Sequence, residues 1–78
     1  NRAIEINPQN FEAYNNKGIA LYELKRYTES IDCYNRAIEI DPESSKANFN
    51  KGLCLFALNR LTEAIESYNK AIQINPNN

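Results

Sequence analysis

Apolar side chains in this chain recur at steps of three and four residues, the spacing that lines one face of an α-helix. Tyr14, Gly18, Leu21 and Leu24 form one such stripe, and Ile31, Tyr34, Ala37 and Ile38 a second. Leu55 and Leu58 mark a third, and Ile65, Tyr68, Ala71 and Ile72 a fourth. The pattern predicts helices from Phe11 to about Leu24, from Thr28 to the Asp41-Pro42-Glu43 turn, from Ser44 to about Leu58, and from Thr62 to the stop at Pro76. Asn10, Thr28 and Ser44 are the expected caps, because their side-chain oxygens can take an orphan backbone N–H. Lys25-Arg26-Tyr27 is expected as a short turn without glycine. Ahead of these, Ala3, Ile4 and Ile6 give Asn1–Asn7 the look of a helix tail ended at Pro8, since the residue before a proline is pushed out of the α region. Connections this short force neighbouring helices to lie antiparallel.

The same order of residue types returns every 34 residues. Aligning Asn1–Tyr34 with Asn35–Tyr68 gives eighteen identical pairs out of 34, among them Pro8/Pro42, Gly18/Gly52, Leu21/Leu55, Arg26/Arg60 and Tyr34/Tyr68. Composition does not produce such agreement, so the chain is an internal repeat. It divides into residues 1–10, the end of a preceding unit's second helix plus its turn, and two full units at 11–44 and 45–78. The expected fold is all-α, built of αα-hairpins. Gly18 and Gly52 each cost about 1 kcal/mol against alanine in a helix, so they are expected where a facing helix needs room. Ala37, Ala64 and Ala71 are expected to do the same from the other side, with Ser30 in the place of Ala64.

These residues carry a resemblance. A helix–turn–helix unit of this period, with an aromatic, Gly, small residues, a second aromatic, Ala and Pro at these intervals, resembles the tetratricopeptide repeat. The matching positions are Tyr14, Lys17, Gly18, Leu21, Ser30, Tyr34, Ala37 and Pro42 in one unit. In the next they are Asn48, Lys51, Gly52, Leu55, Ala64, Tyr68, Ala71 and Pro76, while Ala3 and Pro8 match the end of an earlier unit. Lys17 and Lys51 depart from the usual Leu, and their stems can cover apolar surface while the ammonium reaches water. Asn48 departs from the large aromatic, which predicts looser packing of the second hairpin. The resemblance implies a right-handed solenoid of stacked hairpins whose first helices line a concave groove and which binds peptides or partner proteins without chemistry of its own.

Composition narrows the function further. Nine Lys and Arg against ten Asp and Glu leave a net charge of −1, so no basic surface for nucleic acid or anionic membrane is expected. No apolar run approaches the roughly 20 residues needed to span a bilayer. The chain shows no signal or transit pattern and no initiating Met, as expected of a piece of a larger protein. The expected setting is cytoplasmic. Cys33 and Cys54 lie outside any metal-ligand spacing and are expected as reduced apolar fillers. With no His there is no imidazole base, and the two glycines cannot form a phosphate loop. The expectation is a non-enzyme without cofactor or metal.

If the first helices line a groove, the side away from the glycine stripe carries Glu12, Asn15, Asn16 and Ile19 in one hairpin and Lys46, Phe49, Asn50 and Leu53 in the next. Asn16 and Asn50 recur at the same place, where an amide can both donate to and accept from an extended peptide backbone. Asn16 and Lys46 match two places of the set with which some family members hold a C-terminal carboxylate. Asn15, Ile19 and Asn50 stand where that set has Lys, Asn and Arg. Tyr22 and Phe56 extend the apolar character of this side, or pack between hairpins. An alternative function is structural: uncovered solenoid ends, such as the stripe on Ser67–Ile74, would stack end to end into homo-oligomers with no dedicated peptide ligand.

Overall fold

A computed structural model of the chain describes residues 8–76. They form four antiparallel helices, α1 (Pro8–Glu23), α2 (Tyr27–Ile40), α3 (Ser45–Ala57) and α4 (Leu61–Ile74), with no strand among the described residues. α1 pairs with α2 and α3 with α4 as two hairpins, and α2 lies against α3 to join them. The expected tail at Asn1–Asn7 lies outside the described residues.

Three helix starts differ in kind from expectation. α1 begins at Pro8, so Asn10 lies inside its first turn rather than ahead of it. Proline suits the first helical position because its missing N–H would be unpaired there anyway. Thr28 and Thr62 are likewise inside α2 and α4, whose cap positions are Arg26 and Arg60, without a side-chain cap bond. The preceding turn explains this. Lys25 and Asn59 adopt φ 66° and 65°. Lys25 N–H donates to the Tyr22 carbonyl at 2.9 Å and Arg26 N–H to the Leu21 carbonyl at 2.8 Å, with Asn59–Phe56 and Arg60–Leu55 repeating the pair. This Schellman closure satisfies the end of one helix and delivers the chain directly into the next. Each arginine then clasps the first turn: Arg26 Nε and Nη2 donate to Glu29 at 2.5 and 2.9 Å, and Arg60 repeats this on Glu63. Ser44 does cap α3, its hydroxyl accepting from Ala47 N–H at 3.1 Å.

The core lies along the α2–α3 seam, where Ile31, Tyr34, Cys54, Leu55 and Ala64 cluster and Tyr22, Tyr27, Leu58 and Tyr68 pack around them. The glycines mark close helix contact as expected. A Cβ on Gly18 would stand 2.6 Å from Tyr34 Cε1, and one on Gly52 2.7 Å from Tyr68 Cε1. Asn48 is buried, not loosely held, because its amide turns back to donate to the Ser44 carbonyl at 2.8 Å. Lys51 is half-buried beside Ile31 and Leu55, while Lys17 is exposed.

Candidate functional site

The candidate surface is the side of α1 and α3 that faces away from their partner helices. Residues four and seven apart share a helix face, which groups Glu12, Asn16 and Ile19 on α1 and Lys46, Asn50 and Leu53 on α3. Glu12, Asn16 and Lys46 are exposed, Ile19 is at the margin of exposure, and Asn50 and Leu53 are half-buried. One slot is therefore acidic in the first hairpin and basic in the second, with an amide beside each.

Two expected members sit elsewhere. Asn15 is buried, and its Oδ1 has no hydrogen-bond partner. Its counterpart one period on, Phe49, is 45% exposed. Phe49 turns toward α4, with its ring centroid 5.5 Å from that of Tyr68, and lines an apolar hollow with Tyr68, Ala71 and Ile72. Tyr22 packs on the core, edge-on to Tyr27 with centroids 5.5 Å apart, whereas Phe56 is exposed.

A polar junction behind this surface escaped sequence reasoning. Ser30, fully buried on α2, donates to the Gly18 carbonyl of α1 at 2.6 Å and accepts from the Cys54 thiol of α3 at 3.2 Å. One hydroxyl thus links three helices. Ser30 and Cys54 each depart from the alanine of the other copy, Ala64 and Ala20, but nothing along the chain pairs the two. Burial pushes both thiols up from their ordinary range, which makes them poor nucleophiles. Both cysteines are free and buried, in keeping with a filling role.

Burial also pushes the Tyr34 phenol up to about 12. A group raised in the folded state supports folding fully below its unfolded value, near 10.0, and the support is lost as pH climbs through the folded value. Helicity is therefore expected to fall between about pH 10 and 12 together with the appearance of Tyr34 tyrosinate. The Tyr34→Phe variant should move that loss to higher pH in a paired ultraviolet and circular dichroism titration; an unmoved alkaline limb would contradict the assignment.

No group of three or more His, Cys, Asp or Glu among the described residues is placed to hold a metal. None of the described helices is long and apolar enough to cross a membrane.

Two like hairpins sharing one continuous seam define an αα-hairpin repeat protein. Compared with known families, residues 11–44 and again 45–78 match the tetratricopeptide repeat. The chain belongs to the tetratricopeptide repeat family. No curated protein matches it. Tetratricopeptide repeats are in general protein–protein interaction modules, and the family is typically a non-catalytic scaffold.

Proposed function

We propose that this chain binds an extended peptide or a partner helix along the surface of α1 and α3. The observation that supports this reading is the recurrence of one amide, Asn16 and Asn50, on adjacent first helices one repeat apart, both reaching solvent. Glu12 and Lys46 offer opposite charges alongside, and Ile19 and Leu53 offer apolar contact. The ligand is a protein or peptide rather than nucleic acid or membrane, because the charge is nearly balanced. Binding is selected from a peptide library and compared with the double variant Asn16→Ala/Asn50→Ala. Two lost hydrogen bonds at about 1 kcal/mol each predict affinity weaker by roughly thirtyfold, with helicity unchanged. Equal affinity in the variant, or no binding by the parent, would remove the groove as the site.

A different observation favours a second reading, a structural role in self-association. The outer side of α4 exposes Ile65 and Ile72, 57% and 56%, and exposed apolar patches commonly mark contact surfaces.

A further inference from the structure

We propose that the cleft between α2 and α4 takes the carboxylate of an Asp or Glu side chain from a partner polypeptide. The site uses the face of α3 opposite the candidate groove and does not rest on that reading.

The cleft follows from how the helices meet. α2 packs on α3 and α3 on α4, but α2 and α4 are not in contact. Their separation leaves a furrow with α3 as its floor. Ile31 and Asn35 of α2 form one wall, and Glu63, Glu66 and Ser67 of α4 the other. Lys51 and Leu55 line it from α3, and Arg60 stands at the cap of α4. Helical spacing turns Lys51 and Leu55 away from Lys46, Asn50 and Leu53. Both walls and the floor are described helices, so the cleft lies inside the repeat array rather than at either end.

Several of its polar groups lack partners. Ser67 is 9% exposed, and its hydroxyl makes no hydrogen bond with a described residue. Asn35 and Lys51 are half-buried, and neither side chain makes a hydrogen bond or ion pair with a described residue. Arg60 and Glu63 satisfy each other, Nε donating to Oε1 at 2.6 Å and Nη2 to Oε2 at 2.9 Å. That clasp, with a smaller contribution from Lys51, holds the Glu63 carboxylate below its usual range. The remaining carboxylate, Glu66, is exposed and keeps its water. The partly desolvated charge is therefore the Lys51 cation, and a charge removed from water gains most from a partner of opposite sign.

The donor set defines that partner. The Lys51 ammonium, the Asn35 amide and the Ser67 hydroxyl can all donate, and an ionised carboxylate is the side-chain group that only accepts. Buried Ile31 and Leu55 offer apolar surface to the methylenes behind it. The hollow measures about 270 Å³, below the roughly 300–1,000 Å³ of small-molecule pockets, and suits a single side chain. Both repeats place a lysine where the family pattern has Leu, and Lys17 lines an equivalent hollow with Leu21, Arg26, Glu29 and Asp32. Cys33 stands there in the place of Ser67. The cation is common to both hairpins; the hydroxyl belongs to this cleft alone.

The test is a heteronuclear NMR titration of the 78-residue chain with N-acetylglutamate N-methylamide, and with its glutamine and lysine analogues. The glutamate probe is expected to give saturable shifts centred on Asn35, Lys51 and Ser67. The glutamine analogue should bind about tenfold more weakly, and Lys51→Met should weaken the glutamate probe by a similar factor, since each removes one charge-assisted contact. Circular dichroism verifies helicity; should Lys51→Met lose it, Ser67→Ala replaces it, with a loss of about fivefold for one neutral hydrogen bond. Absence of saturable shifts at the cleft, equal binding of the glutamine analogue, or tighter binding of the lysine analogue would overturn the inference. Shifts confined to Asn16 and Asn50 would also overturn it, by placing carboxylate recognition in the groove.

Discussion

Replacing Tyr34 by alanine is expected to remove roughly 3–5 kcal/mol of stability. The ring is 1% exposed and is the largest fully buried side chain. It fills the space over Gly18 and belongs to the cluster that joins the hairpins, so its loss opens a cavity that two helices of one hairpin and one of the next would have to collapse around. A domain of this size has a total stability on the order of 5 kcal/mol, so the variant should be left marginal, close to its unfolding midpoint at ambient temperature. The same change at Tyr68 removes an equivalent ring that is only half-buried, and about 1–2 kcal/mol is the expected loss. Urea unfolding followed by circular dichroism, at a protein concentration low enough to keep copies apart, measures both. Equal losses at the two positions would show that the seam does not distinguish them.

Gly18→Ala should likewise be costly and Gly52→Ala nearly silent, although the two glycines look alike in sequence. Alanine recovers up to about 1 kcal/mol of helix propensity at either place. At Gly18 the new methyl would meet the Tyr34 ring at 2.6 Å, and a ring buried on every side has no free direction to move. Overpacking of this kind costs about 1–3 kcal/mol, leaving a net loss that lowers the thermal midpoint by roughly 5–10 °C. At Gly52 the clash is as close, 2.7 Å, yet Tyr68 can swing toward solvent, and the two effects roughly offset. A similar fall for both variants would mean that Tyr68 is held as firmly as Tyr34.

Much of the hairpin architecture was legible in the residues. The apolar steps located four helices, the 34-residue period paired them, and the glycines announced the close approach to the aromatic of the facing helix. Ser44 was readable as a cap because the chain before it turns at Asp41-Pro42-Glu43 and leaves a free position. Thr28 was not, because a left-handed Lys25 runs α1 directly into α2 and consumes the cap position with Arg26. Side-chain hydrogen bonds across helices were illegible for a related reason. The link from Ser30 to Gly18 and Cys54 depends on three helices meeting at one point, and no local pattern encodes such a meeting. On the candidate surface, the stripe of Glu12, Asn16 and Ile19 was legible, but the burial of Asn15 and the turn of the Phe49 ring toward Tyr68 were not.

The amino-acid order by itself determined local helices, their pairing into hairpins and the family, since each follows from spacing along one chain. Which copy of a repeated residue is covered was decided only in three dimensions. Ile31 and Ile65 occupy equivalent positions in a repeated pattern, yet one is 8% exposed and the other 57%. Exposure is set by whatever helix lies across the residue, and that neighbour is a property of the stack.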